Sequence, residues 1–389
     1  MRVLYVSHTA VVSGAERSLV DLFDALGERV EPLLATPRGA LEELAARHGA
    51  PTSAIVGTAG SLRLHPLHTP RALAEMAFAA RQVRRAAARH RAELVHANSI
   101  RAGIVLALAR LRATPTIVHV RDCLPPGRLS TATLRLLAAS ASTIVANSRY
   151  TAASVRAAAP SARLEVVHNA VDLTRFDPTR IDRAAARARL GGVLADGRRP
   201  LLGVVAQISP WKGQETAIEA LGLLREEGID ADLLLVGEAK FVAASTRFDN
   251  ERFLGRLRAL ASATGLEDRV HWLGEREDVP ELVRALDVLL LPSWEEPFGR
   301  AVIEAMAMAV PVVATSVGGP SEIVQDGCEG YLAPPRDARA WAAAIRGVLD
   351  GREGGAAMGR AGRARVEREF TFAQQAAAMF RVYEEARAR

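Results

Sequence analysis

Glu296 and Glu304 bracket the densest run of chemistry-bearing residues in the chain, the segment PSWEEPFGRAVIEAMA at 292–307. An apolar run ends at Pro292, an acidic loop follows, and a helical pattern opens near Gly299. A helix N-terminus offers unpaired backbone N–H groups and a partial positive charge, a ready seat for a phosphate. Glu304 lies about five residues into that helix, roughly 7 to 8 Å of rise beyond Gly299. Two carboxylates so spaced could grip hydroxyls at either end of a diphosphate bridge, sugar on one side and ribose on the other. The same spacing also fits a Glu296 that caps the helix and a Glu304 that forms its polar face.

The second candidate is a lysine. Arginine supplies all of the 50 basic residues except Lys212 and Lys240, a bias that suggests a GC-rich genome. Lys212 sits in Ala206-Gln207-Ile208-Ser209-Pro210-Trp211-Lys212-Gly213, just after an apolar run, and a lysine kept in so arginine-rich a chain stands out as a candidate. His119, near the end of Thr116-Ile117-Val118-His119-Val120, and His8, after the first apolar run, lie at strand ends, where a histidine is commonly a satisfied structural residue. His65 and His68 have no carboxylate or cysteine at ligand spacing. Asp230-Ala231-Asp232 looks like a metal-binding pair but directly precedes a strand, at the wrong end of a sheet, and reads as turn chemistry. Cys123 and Cys328 fall in opposite halves without companions, so neither a metal centre nor a disulfide framework is expected.

The elements that must carry these residues alternate from the start. Short apolar runs at Val3–Ser7, Pro32–Thr36, Glu93–Asn98, Thr116–Val120, Thr143–Asn147 and Glu165–Asn169 are separated by alanine-rich helical stretches, the signature of βαβ units. Turn residues and charge from Asp172 to Pro200 read as a linker. The alternation restarts at Leu201–Ala206 and continues through Asp232–Gly237, Val270–Gly274, Val288–Pro292 and Val310–Thr315. With 389 residues and 49% apolar content, two α/β domains are expected: 1–172, then 200–370 after a linker at 173–199. The helical residues 371–389 have no strand after them and are expected to pack back on the first domain.

Charge is unevenly placed: residues 1–199 carry a net +13 and residues 200–389 a net −7. That asymmetry fits an anionic partner for the first half, or arginine drift on a solvated surface. Arg71 to Arg91 carries six arginines beside Leu73, Met76, Phe78 and Val83. It reads as a helix lying on anionic lipid or as an ordinary surface helix. No run approaches the ~18 to 20 uncharged apolar residues of a membrane span, and the N-terminus enters a strand pattern at once. The cytoplasm is the expected compartment, with peripheral contact at the inner membrane face left open. No repeat or low-complexity tail supports a scaffold role.

The pair Glu296-x7-Glu304 resembles the glutamate pair of glycosyltransferase family 4, and the resemblance runs over nearly the whole chain. Ser13-Gly14-Ala15-Glu16-Arg17 is similar to the family's glycine-rich first loop, Val167-His168-Asn169-Ala170-Val171-Asp172 to its inter-domain segment, and Val317-Gly318-Gly319-Pro320-Ser321-Glu322 to the turn after a late strand. Gln325-Asp326-Gly327-Cys328-Glu329-Gly330-Tyr331-Leu332 resembles the stretch that follows. The first loop is not GxGxxG, so dinucleotide binding is unsupported.

The resemblance implies the GT-B fold, two Rossmann-like doubly wound domains facing across a cleft. It implies that Glu296 contacts the donor sugar, Glu304 the ribose hydroxyls, Lys212 the diphosphate, and the backbone at Phe298, Gly299 and Arg300 the sugar or diphosphate. Gln207 stands where family members commonly carry an arginine; it can hydrogen-bond a phosphate oxygen without neutralising it, which leaves more of that work to Lys212. Gly14 is implied to approach the diphosphate, and His119 to orient hydroxyls beside the donor sugar. Arg121 and Asp122 are expected to shape the acceptor pocket together with His8, a surface ion pair being the alternative.

The activity implied is retaining transfer of a hexose-type sugar from a nucleotide diphosphate, without metal or other cofactor. UDP is the family habit, with GDP and ADP open. The acceptor is a hydroxyl of a glycan, a lipid-linked sugar or a small molecule, and no nucleic acid is involved. A nucleotide-sugar epimerase and a non-catalytic nucleotide-sugar-binding protein fit the same architecture. A phosphorylase would need a pyridoxal-bearing lysine, for which neither lysine has suitable context.

Overall fold

The computed structural model describes residues 1–58, 68–191, 199–240 and 249–389, with the backbone alone at 68–71 and 352. His65 lies outside the described residues, as does the side chain of His68. Two compact units emerge, Met1–Ala170 with Phe372–Arg389, and Val171–Thr371.

The first unit alternates strand and helix throughout: β1 (Arg2–Val6), α1 (Gly14–Leu26), β2 (Glu31–Thr36), α2 (Ala40–Arg47), β3 (Thr52–Ala54) and α3 (His68–His90). It continues with β4 (Leu94–Ala97), α4 (Ile100–Ala109), β5 (Thr116–Val120), α5 (Arg128–Ser140), β6 (Thr143–Ala146), α6 (Arg149–Ala158) and β7 (Leu164–Val166). All pairings are parallel, in the order β3-β2-β1-β4-β5-β6-β7. The central strands β4, β5 and β6 are buried on both faces, which is why they read as continuous apolar runs. Helices α3 to α6 pack on one face through Val83, Val105, Leu137 and Val155. On the other face α1 and α2 pack with the chain's last helix, Phe372–Arg387.

The second unit runs α7 (Arg183–Ala188), β8 (Leu201–Val205), a 3-10 turn at Pro210–Lys212, α8 (Gln214–Glu226), β9 (Asp232–Val236) and α9 (Asn250–Ala263). There follow β10 (Val270–Gly274), α10 (Val279–Ala285), β11 (Val288–Leu291), α11 (Arg300–Ala307), β12 (Val312–Thr315), α12 (Pro320–Ile323), β13 (Gly330–Ala333), α13 (Ala338–Leu349) and α14 (Arg352–Glu369). Its sheet is again parallel, β10-β9-β8-β11-β12-β13. In both sheets the order reverses beside the first strand, between β1 and β4 and between β8 and β11. Open α/β sheets bind ligands at the carboxyl ends of strands at such a reversal.

The segment read as a linker belongs to the second unit, because its apolar residues have a core to enter. Phe176, Ala186 and Leu190 are buried there. Arg183 and Arg187 both bind Asp287, whose carboxylate also accepts from the Leu201 amide at 2.7 Å.

The last helix is held in the first unit by one apolar stripe, Ala376, Met379, Tyr383 and Ala386, at the i, i+3, i+4 spacing of a half-buried helix. It is also held by a buried polar contact. The Tyr383 hydroxyl lies 2.6 Å from Nδ1 of the fully buried His96 and 3.3 Å from the Tyr5 hydroxyl. His119 stacks on His96 with ring centroids 5.4 Å apart. Burial, with Arg121 adding positive charge, pushes the His96 imidazole down to about 3 and holds His119 well below the usual range. Both rings are therefore neutral in the folded unit.

Unfolding releases these histidines to a pKa near 6.5, where they take up protons the native state refuses. Stability is complete above about pH 6.5 and falls as the pH drops below that, for His96 down towards about 3, by as much as about 1.4 kcal/mol per pH unit for each ring that the fold keeps neutral. Denaturation midpoints should therefore drop between pH 6.5 and 5, before carboxylates titrate; a flat midpoint over that window would contradict it. Tyr383→Phe strips His96 of its partner and is expected to destabilise the first unit by about 1 to 3 kcal/mol in chemical denaturation.

Candidate functional site

The loops leaving the carboxyl ends of β8 and β11 meet at the reversal in the second sheet. The Trp294 amide donates to the Trp211 carbonyl at 2.9 Å, joining 206–213 to 292–299. The approach is so close that a Cβ on Gly213, whose φ is +69°, would lie 1.9 Å from the Pro292 oxygen. A third segment, from the turn after β12, closes the arrangement. Glu296 accepts from Gly319 at 2.8 Å through its carbonyl and donates to the Val317 carbonyl at 3.2 Å. Gly318, at φ +112°, has no room for a side chain, since a Cβ there would sit 2.0 Å from the Glu296 oxygen.

This backbone frame sets the side chains. Lys212 Nζ donates to Glu296 Oε2 at 2.7 Å, with the two side chains only 14% and 10% exposed, and Ser293 Oγ donates to the same oxygen at 2.9 Å. The Lys212 ammonium also lies 3.9 Å from the centre of the Trp211 ring, and Arg336 lies 3.6 Å from that of Trp294. The alternative in which Glu296 caps the helix is not met: the N-cap of α11 is Gly299, with no side-chain cap. Arg300 opens that helix and reaches Glu304 at 3.4 Å, one turn on. Phe298 is buried against Phe370, fixing the entry of α11 from beneath. Gln207 is half-buried, and its carbonyl accepts from the Gln214 side chain at 2.8 Å. The structure thus gathers Gln207, Lys212, Glu296, Phe298, Gly299, Arg300 and Glu304 on two adjoining loops and one helix start.

In the first unit the reversal lies between β1 and β4. His8, two residues past β1, pairs through Nδ1 with Ser99 Oγ at 2.9 Å, and burial beside Arg101 pushes its imidazole down to about 4. Asn98 is fully buried and donates to the Ala15 carbonyl at 3.2 Å. Gly14 is the exposed first residue of α1, its backbone outside the left-handed region that favours glycine. Ser13 and Glu16 form a reciprocal capping box, Ser13 Oγ donating to Glu16 Oε2 at 2.5 Å. Burial, reinforced by the nearby Asp122 charge and opposed by the Ser13 bonds, raises the Glu16 carboxyl.

Two expectations are corrected here. His119 is fully buried in the described structure, so its ring faces the core and not an opening where substrate hydroxyls could reach it. Arg121 is likewise buried and donates to Ser18 Oγ at 3.0 Å and Asn169 Oδ1 at 2.9 Å, which ties its guanidinium to the fold and not to an acceptor. Asp122, the next residue, is exposed. Asp230 and Asp232 sit at the amino end of β9 and serve structure: Arg269 and Arg199 pull the Asp230 carboxyl down to about 2, and Asp232 meets His271 at 2.9 Å. Among the described residues no cluster of His, Cys, Asp and Glu is set to hold a metal ion. Sequence reading missed Ser293, Gly213 and Glu16; of these only the capping box Ser13-x-x-Glu16 had a readable signature.

A pair of doubly wound units, each with its ligand-binding loops at a sheet reversal, defines the GT-B class. Comparison with known proteins agrees. Residues 192–365 match the model for glycosyl transferases group 1, and residues 12–175 that for Glycosyltransferase Family 4. The chain belongs to glycosyltransferase family 4.

A D-inositol 3-phosphate glycosyltransferase of Mycobacterium sp. (strain KMS) is 38% identical over 221 residues, 56% of this chain and 45% of that protein. The lipopolysaccharide core biosynthesis mannosyltransferase LpsB of Rhizobium meliloti is 32% identical over 221 residues, 56% of this chain and 60% of that one. The matches thus span about half the length of these curated relatives. Among solved structures, Anabaena Alr3699/HepE in complex with UDP-glucose superposes with a TM-score of 0.82 at 27% identity, covering 98% of this chain and 100% of that one.

The frame makes a direct prediction. Gly318→Ala places a Cβ inside the Glu296 backbone at a left-handed φ, and is expected to lower stability by on the order of 3 kcal/mol. Thermal unfolding measures it, and an unchanged midpoint would show that the loop yields freely.

Proposed function

We propose that the chain is a retaining glycosyltransferase that moves a hexose-type sugar from a UDP-sugar held by the second unit to an acceptor hydroxyl, without a metal ion. The observation that carries this reading is the Lys212–Glu296 pair beside the N-terminus of α11, at the reversal of the second sheet. A diphosphate placed there meets one ammonium and the backbone amides at the start of α11, and its charge replaces that of Glu296 at Lys212. The Glu296 carboxylate, released but still held by Ser293, then accepts from sugar hydroxyls, and Glu304 accepts from the ribose.

As the glycosidic bond breaks, negative charge grows on the diphosphate, and Lys212 and the helix dipole stabilise it; Gln207 contributes a hydrogen bond without charge. Retention follows if the acceptor attacks from the face the diphosphate leaves, giving its proton to a donor phosphate oxygen. Acceptor recognition is assigned to the first unit, at His8 and Asp122. Glu16, in the same unit, has its carboxyl raised by burial and by the nearby Asp122 charge. The acceptor class is a glycan, a lipid-linked sugar or a small molecule, and the place of action is the cytoplasm or the inner membrane face. UDP-glucose bound to the Anabaena protein supports the choice of nucleotide.

Calorimetric titration of UDP, GDP and ADP into wild type and Glu304→Ala tests the donor site. UDP should bind saturably, and the variant should lose about 10- to 100-fold in affinity, the worth of hydrogen bonds to a charged group. Binding of none of the three nucleotides would sink the reading. With a matching UDP-sugar and acceptor, Lys212→Met should lower kcat by on the order of 100-fold or more, and EDTA should leave it unchanged.

A further inference from the structure

The first unit is electrically two-faced. Helices α3, α4, α5 and α6, which cover one face of its sheet, carry ten arginines and a single carboxylate, Glu75. Helices α1 and α2 and the C-terminal helix, on the other face, carry seven carboxylates and four arginines. On the basic face Arg81, Arg84, Arg85 and Arg89 are exposed, and among the described residues no carboxylate reaches any of them. Between Arg81, Arg84 and Arg85 lies an open hollow of about 400 Å³.

The same layer holds most of the exposed apolar bulk. Leu73 and Phe78 on α3, Leu108 on α4, and Leu129 and Leu136 on α5 are each 44% to 58% exposed, whereas no large hydrophobic residue of the second unit is so exposed among the described residues. The sequence grouped Met76 and Val83 with Leu73 and Phe78, but both lie on the buried side of α3, against the sheet. The surface is therefore not one amphipathic helix. It is a layer of neighbouring helices, with unpaired guanidinium groups along α3 and apolar side chains at its start and across α4 and α5.

We propose that this α3–α6 layer docks on an anionic lipid bilayer, arginines on the phosphate headgroups and the leucines and Phe78 in the acyl boundary. A soluble polyanion would satisfy the arginines but leave the apolar side chains in water, which is why the bilayer is the partner the surface fits. The hollow on α3 has the charge and size to seat one lipid phosphate. The inference stands apart from the donor chemistry, since none of these residues belongs to the second unit.

Vesicle flotation tests it. The full chain should float with phosphatidylglycerol-containing vesicles, not with neutral phosphatidylcholine, and be released by high salt. Arg84→Glu with Arg85→Glu should weaken partitioning on the order of 100-fold, and Leu73→Ser with Phe78→Ser about tenfold. These positions are exposed, so circular dichroism and UDP titration of the variants should match wild type, which separates loss of docking from loss of fold or donor site. No flotation, equal flotation with neutral vesicles, or unchanged flotation in either variant overturns the proposal. So does heparin binding of equal strength that ignores the apolar pair, because it assigns the face to a soluble polyanion.

Discussion

The reversal of strand order between β8 and β11 is the constraint on which the second unit's chemistry depends. Connections leave the two strands toward opposite faces of the sheet, so their loops emerge side by side with no helix between them. Convergence of two backbones forces glycine at 213 and, where the turn after β12 comes in, at 318. With the backbones locked, Lys212 and Glu296 have little freedom to do anything but meet. The pair is only 14% and 10% exposed, dry enough for each charge to matter, a setting in which the proposed diphosphate would compete for the lysine.

The first unit solves the same topology with opposite chemistry. Around its strands β1, β4 and β5 the buried polar groups are neutral: Tyr5, His96, His119 and Tyr383 share one low-dielectric pocket. Arg121 supplies the one nearby charge, and its bonds to Ser18 and Asn169 fix the last residues of the chain before it enters the second unit. Tyr383 does the equivalent for the returning helix. Both passages of the chain out of and into this unit are thus fastened to the same buried cluster, whose neutrality is the condition of its survival.

Sequence reading recovered the strands that are buried on both faces. Thr116–Val120 matches its expected bounds, and so does the partly buried edge strand Val270–Gly274, because a run of β-branched and apolar residues closed by turn residues leaves little choice. It missed β3 and β13, short strands at the sheet edges: Thr52–Ala54 is only three residues long, and Gly330–Ala333 opens on a glycine that reads as a turn. The residues gathered at the second sheet's reversal were legible as a group because a rare lysine and a spaced glutamate pair stand out locally. Burial of His119 and Arg121 was not, since whether a strand-end side chain faces a core depends on a helix that arrives more than 250 residues later. The 173–199 segment failed for the same reason: polar, arginine-rich composition signals a linker, while its few apolar residues find partners on β11 and α10 only in three dimensions.

Arginine abundance alone does not account for where the charge lies. In the second unit arginines act as fasteners: Arg183 and Arg187 on Asp287, Arg199 and Arg269 on Asp230, Arg365 on Glu329. A drift from lysine to arginine would produce such pairs, because it changes the cation and leaves the carboxylates in place. It would not remove carboxylates from α4, α5 and α6 while keeping them on α1, α2 and the C-terminal helix of the same unit. The asymmetry therefore resides in the acidic residues, which mutational drift toward arginine does not touch, and it coincides with the layer where leucine and phenylalanine are left in solvent. A surface with a single carboxylate among ten arginines, left partly apolar, is unfavourable for an isolated soluble unit and favourable against an anionic interface, and that difference is what the layer's composition records.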